Sequence, residues 1–131
     1  MSGRHLDREA ATLAAERLKL FAQPLRLMIL STLVARELSV GAIDEATGIG
    51  QPALSQQLAA LRRGGLVSQR REAKQVLYRL IDERTTAIVR FVHTVFGREG
   101  EPEQALRAYA VPIDRPRLVE SAAMFPIIDE D

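Results

Sequence analysis

The chain has 131 residues, of which 47% are hydrophobic, so it is long enough for one globular domain with its own core. It contains no cysteine, which excludes disulfide bonds, thiolate metal sites and thiol redox switches. No apolar stretch approaches the length of a membrane span, and the charged start lacks the apolar segment of a signal peptide, so we expect a cytoplasmic protein.

Charge is distributed unevenly along the chain, although the formal net charge is only +1. Residues 51–80 carry six basic side chains and one acidic side chain, a net charge of +5. Residues 98–131 carry four arginines and eight acidic side chains, a net charge of −4. A basic segment of this kind suits a polyanionic partner, although an ordinary solvated surface also carries charges.

The first half of the chain predicts three helices. Apolar residues recur at helical spacing over residues 6–21, and Pro24 suits the first turn of a second helix over residues 24–36. The second helix is apolar on nearly every side, which is typical of a central position in a domain. Ser39 suits the N-cap of a short third helix, and residues 47–50 form a turn.

A fourth helix follows the turn at about residues 51–63. Leu54, Leu58 and Leu61 lie on one of its faces, at the spacing of an amphipathic helix. Two glycines, at positions 64 and 65, end it.

The second half continues with a hairpin and a fifth helix. Residues 66–71 and 75–81 alternate between apolar and polar side chains as strands do, and residues 72–74 form the tip between them. Asp82 suits the N-cap of the fifth helix, which ends at Gly97.

This order of elements predicts a mainly α fold with a two-stranded β-wing, the winged helix-turn-helix. We expect residues 1–97 to form one domain with this fold, and residues 98–131 to form a C-terminal extension. The extension contains four prolines but is too apolar for a free tail, so we expect it to fold back on the domain, with partial disorder as the alternative.

The outward face of the fourth helix is chemically suited to reading base edges. The second helix of a helix-turn-helix enters the major groove, and amide and hydroxyl groups can match the donors and acceptors of base edges there. The candidate base-reading residues are Gln51, Ser55, Gln56 and Gln57.

Basic side chains around the hairpin suit the phosphate backbone. A wing beside the recognition helix would contact phosphates, which supply affinity and position rather than sequence information. The candidate phosphate-binding residues are Arg62, Arg70, Arg71 and Lys74.

Two longer stretches carry a recognisable pattern, namely residues 21–30 (FAQPLRLMIL) and 54–67 (LSQQLAALRRGGLV). They are followed by residues 70–72 (RRE) and 77–80 (LYRL). In this order and spacing they resemble the ArsR/SmtB family of bacterial repressors, over about residues 10–97.

The resemblance implies a homodimer that binds a pseudo-palindromic operator and represses transcription until an inducer relieves it. It also implies that residues 1–97 serve DNA binding and dimerisation, with the dimer interface on the first and last helices and the extension packed on the dimer. The sequence departs from the family at two positions of the predicted DNA-binding surface. Gln57 stands where many members have histidine, and Ala73 stands where the wing tip often has glycine. The apolar interface candidates are Leu13, Leu18, Ile88, Phe91, Val92 and Val95.

The sensing sites of this family do not carry over to this sequence. The thiolate site of the third helix needs cysteines where Ser39 and Gly41 stand. We therefore expect no cofactor and no thiol-based sensing. The open alternatives are a small apolar ligand, a protein effector, or no inducer at all.

The zinc site of the last helix is also incomplete. It resembles Asp-x-His followed by a distant His-x-x-Glu; here Asp82 matches, Arg84 replaces the histidine, and the second pair falls on Val95 and Arg98. His93 remains as a candidate metal ligand or titrating group, although a surface or interface imidazole is the simpler interpretation.

Two other classes of function fit the sequence less well. An enzyme is disfavoured because the sequence shows no nucleophile–base pair, phosphate loop or metal cluster. A winged-helix module for protein–protein contact, such as an antitoxin-like partner, is the stronger alternative, and the basic stretch at residues 62–79 argues against it.

Overall fold

Five helices and a small antiparallel sheet make up residues 5–97, the part of the chain that the computed structural model describes. The predicted extension, residues 98–131, lies outside the described residues. None of the described helices is long and apolar enough to cross a membrane. In chain order the elements are α1 (Arg8–Lys19), α2 (Pro24–Thr32), β1 (Leu38–Ser39), α3 (Val40–Thr47), α4 (Ala53–Arg63), β2 (Val67–Glu72), β3 (Gln75–Leu80) and α5 (Glu83–Phe96).

The predicted fold class is confirmed, with one addition and one correction. The sheet has the order β1-β3-β2, so the two-stranded wing gains a short third strand, in which Leu38 pairs with Tyr78. Helix α2 was predicted to reach residue 36, but it ends at Thr32. The chain after it must turn so that β1 can pair with the sheet, and this tertiary requirement overrides the apolar pattern.

The predicted β-hairpin is present, but its tip is residues 73–74 rather than the predicted 72–74, because Glu72 belongs to β2. Val67 pairs with Leu80 at the base of the hairpin, and Glu72 pairs with Gln75 next to the tip. Ala73 has a φ of 57°, in the left-handed region that favours glycine, as a tight two-residue turn requires.

One hydrophobic core joins the helices to the sheet. The leucine row of α4 (Leu54, Leu58 and Leu61) is fully buried and meets Ile29 and Leu30 of α2. Alternate residues of β3 face the same core. The other buried members of the core are Phe21, Leu33, Ile43, Leu66, Val67, Tyr78, Leu80 and Val89.

Three helix starts are capped by side chains, as the sequence predicts for two of them. Ser39 Oγ accepts from the backbone N–H of Ala42, and Asp82 Oδ1 accepts from that of Thr85 at 2.8 Å. Asp7 caps α1 in the same way. The backbone and side-chain hydrogen bonds from Thr85 lower the pKa of Asp82 below its ordinary value, so the cap of α5 stays ionised.

We expect Leu58→Ala to destabilise the protein by about 2–5 kcal/mol, because it leaves a cavity beneath α4. Gln56→Ala, two residues earlier on the exposed face, is the matched control and should change stability by less than about 0.5 kcal/mol. Urea unfolding at one fixed protein concentration measures both. Equal losses for the two variants would contradict the placement of α4.

Candidate nucleic-acid interface

The turn between α3 and α4 is held by short-range hydrogen bonds. Gly48 ends α3 with a φ of 69°, and its N–H donates to Asp44 O at 2.7 Å. The Asp44 carboxylate also accepts from Gly50 N–H at 2.8 Å. These bonds fix the direction in which the chain enters α4, as a helix-turn-helix requires.

Helix α4 divides cleanly into a buried and an exposed face. Its leucine row is at most 1% exposed, whereas Ser55, Gln56 and Arg62 are exposed, as is Gln51 just before the helix. The structure therefore brings three of the four candidate base readers together on an open polar surface. Gln57 lies at the edge of this surface and is half-buried.

Two of the candidate base readers are hydrogen-bonded to each other. Gln51 Oε1 accepts from the backbone N–H of Ser55 at 3.1 Å and from Ser55 Oγ at 2.7 Å. Both residues remain exposed, so the pair forms a fixed polar feature at the start of α4.

Gln57 is instead tied to α2. Its Oε1 accepts from Arg26 Nε at 3.0 Å, and Arg26 Nη1 donates to Leu20 O at 3.3 Å. Sequence reasoning missed Arg26, because 31 positions separate it from Gln57 and no local pattern marks so distant a contact.

The wing presents its basic side chains in two different states. Arg71 and Lys74 are exposed, and neither forms an ion pair within residues 5–97. Arg70 is held by Glu37, with two parallel 2.8 Å contacts from Nε and Nη2 to the carboxylate oxygens, and it also reaches Glu72 at 3.3 Å. Part of the predicted phosphate-binding set is thus already paired within the protein.

Glu37 and Arg70 change each other's acidity. The hydrogen bond from Arg70, with the charge of Arg70 and a smaller effect of Arg79, lowers the pKa of Glu37 below its ordinary value. The hydrogen bond to Glu37 raises the pKa of Arg70. Both groups therefore stay charged, and the pair fixes the wing to the segment between α2 and β1.

A second surface of the described chain is apolar. Helix α1 buries none of its residues, and Leu13 and Leu18 are 53% and 59% exposed. At the end of α5, Phe96 is 75% exposed. The four interface candidates on α5, namely Ile88, Phe91, Val92 and Val95, are half-buried.

An open apolar groove of about 270 Å³ lies on the surface where α2 and α5 meet. Leu27, Met28, Val92, His93 and Phe96 are among the residues that line it. His93 is exposed, and within residues 5–97 no three histidine, aspartate or glutamate side chains come close enough to hold a metal ion together.

The chain is similar to bacterial transcription regulators. Residues 23–69 match the model of the family described as bacterial regulatory protein, arsR family. The biofilm growth-associated repressor of Xylella fastidiosa is 44% identical over 96 residues, which cover 70% of this chain and 84% of that protein. The transcriptional activator HlyU of Vibrio cholerae is 40% identical over 84 residues, covering 64% and 78%.

A solved structure supports the same relationship. The homodimeric winged helix-turn-helix DNA-binding domain of a possible ArsR-family regulator from Mycobacterium bovis superimposes with a TM-score of 0.58. The two are 39% identical, and the match covers 71% of this chain and 87% of that one.

We expect the Glu37 carboxyl to titrate below the ordinary glutamate pKa of about 4.3. Its contribution to stability is present above that value and is lost as the pH falls through the lowered pKa. Arg70→Gln should return the titration towards the ordinary value, whereas the matched variant Arg71→Gln should leave it unchanged. NMR titration of the side-chain carboxyl carbon measures this, and an ordinary pKa in the unaltered protein would refute the ion pair.

Proposed function

The chain belongs to the arsR family of bacterial regulatory proteins and is a DNA-binding transcriptional regulator, and we propose that it is a homodimeric repressor that occludes a pseudo-palindromic operator. The observation that carries the proposal is the exposed polar face of α4, backed by the buried leucine row and flanked by a basic wing. Such a protein would act in the cytoplasm, where the bacterial chromosome lies.

Helix α4 is the element that would enter the major groove. Its exposed face, together with Gln51 two residues before it, supplies amide and hydroxyl groups and carries no carboxylate that would repel the phosphates beside the groove. We propose Gln51, Ser55 and Gln56 as the main base-reading residues. Gln57 can add its amide Nε2 to this set, because its Oε1 accepts from Arg26.

The wing would contact the phosphate backbone. Arg71 and Lys74 are the exposed cations nearest its tip, and Arg62 lies at the end of α4. Arg70 would have to leave Glu37 before it could bind a phosphate with both sides of its guanidinium. We therefore propose that Arg71 and Lys74 bear more of the phosphate contact than Arg70.

The apolar faces of α1 and α5 are proposed as the dimer interface. Large exposed aliphatic and aromatic side chains on both helices are costly in water and are typical of a surface that a second subunit covers. The similar domain from Mycobacterium bovis is described as homodimeric. A two-fold dimer would place two copies of α4 in successive major grooves about 34 Å apart.

Repression requires nothing beyond this binding, because a dimer seated on a promoter blocks RNA polymerase. The relatives include proteins named as a repressor and as an activator. In-vitro transcription from a bound promoter separates the two modes: repression predicts less transcript as protein is added. A rise in transcript would overturn the proposed mode and leave DNA binding intact.

We expect Arg71→Ala to weaken binding to all duplexes alike. Loss of one phosphate contact should reduce the slope of log K against log salt by about 0.9. Arg84→Ala is the matched control. It removes the same charge, but Arg84 lies in the first turn of α5, at the base of the hairpin and away from the wing tip. Fluorescence anisotropy over a series of salt concentrations measures the slope, and an unchanged slope for Arg71→Ala would count against the phosphate role.

We expect Leu13→Asp to shift the protein from dimer to monomer and to abolish tight operator binding, because it places a charge on the apolar face of α1. The control is Thr12→Asp, which should remain dimeric. At 100° per residue Thr12 lies about 100° from Leu13 and about 120° from Leu18 around the helix, away from the face between the two leucines. Sedimentation velocity gives the oligomeric state. A Leu13→Asp protein that stays dimeric would require a different interface.

A further inference from the structure

Hydrogen bonds within the protein restrict what the start of α4 can offer to DNA. Gln51 Oε1 accepts from two groups of one residue, the backbone N–H of Ser55 at 3.1 Å and the hydroxyl of Ser55 at 2.7 Å. Both lone pairs of that amide oxygen are therefore occupied. The remaining polar atom of the Gln51 side chain is its Nε2 amino group, and the residue is exposed.

The direction of these bonds is forced by their chemistry. A backbone N–H can only donate, so the amide must turn its oxygen, not its amino group, towards Ser55. The Ser55 hydroxyl gives its proton to the same oxygen and is left with acceptor lone pairs. The pair thus presents one donor group, on Gln51, and one acceptor, on Ser55.

Arg26 imposes the same polarity on Gln57. The guanidinium N–H can only donate, so Gln57 turns its oxygen towards α2 at 3.0 Å and its amino group away from Arg26. Arg26 is itself half-buried and bonded to Leu20 O, which limits its freedom to release Gln57.

Resting on the proposed DNA-binding role, we infer that Gln51 is preset as a hydrogen-bond donor and selects guanine in each half of the operator. Guanine presents two neighbouring acceptors, N7 and O6, to the major groove. The usual pairing of glutamine with adenine needs a free amide oxygen to accept from N6, and Ser55 occupies that oxygen in Gln51. An adenine N6 amino group would meet another donor.

Gln56 offers an internal comparison. It is exposed, and its side chain makes no hydrogen bond within the part of the chain that the structure describes. It therefore keeps both its oxygen and its amino group, and it can pair with adenine in the usual two-bond manner. Two glutamines five positions apart are predicted to prefer different bases because only one of them is restrained.

The test is selection of bound sequences from a randomised DNA duplex pool by the full chain. The unaltered protein should enrich guanine at one position in each half-site. Gln51→Glu keeps an oxygen for Ser55 but has no amino group, so that guanine should be lost while the other positions remain. Gln56→Glu, the matched control, should change a different position and keep the guanine.

A modified base tests the contact directly. Replacing the selected guanine by 7-deazaguanine removes one acceptor, and it should weaken binding of the unaltered protein by about three- to tenfold, as loss of one hydrogen bond does. The same replacement should not weaken the Gln51→Glu protein further. Two outcomes would overturn this inference but leave the proposed function standing. One is enrichment of adenine at the position that depends on Gln51, and the other is a base preference that stays the same in Gln51→Glu. Failure to enrich any sequence, with no duplex bound at low salt, would overturn the proposed function as well.

Discussion

Burial of the leucine row on α4 is the constraint from which the surface of this protein follows. Three leucines at positions 54, 58 and 61 are removed from water against α2, α3 and the sheet. A helix that buries one stripe has no freedom to rotate about its axis, because a rotation would expose aliphatic surface and bury amides without partners. Packing of the core therefore determines which positions of α4 face outward.

The wing depends on a second kind of interaction, the ion pair between Glu37 and Arg70. Such a pair near the surface adds little to stability, but its two parallel contacts restrict orientation. It joins the hairpin to the segment between α2 and β1 and so restricts the movement of the wing relative to that segment. The cation that holds the wing is then less available to a phosphate than Arg71 and Lys74 are.

Local patterns in the sequence account for most of the fold. The 3.6-residue period of α4, the alternation of β3 and the caps Ser39 and Asp82 all depend on residues within one turn or one strand, and each was predicted correctly. A strand of two residues has no period to detect, so β1 and the early end of α2 were missed.

The site shows the same division between local and distant interactions. The outward set on α4 could be predicted from periodicity, whereas the contacts of Arg26 with Gln57 and of Glu37 with Arg70 join residues 31 and 33 positions apart. Such contacts arise only when the core brings α2, α4 and the hairpin together. Sequence reasoning therefore found which residues line the surface but not which of their atoms are already engaged.

Helix α1 has a consequence for how the protein forms. Within residues 5–97 it buries none of its residues, so this part of an isolated chain gives its twelve residues little support beyond the cap and their intrinsic propensity. If the second subunit supplies the missing contacts, folding of α1 and assembly become one equilibrium governed by mass action. Dilution would then unfold α1, and the concentration of the protein in the cell would set the fraction that is present as the DNA-binding dimer.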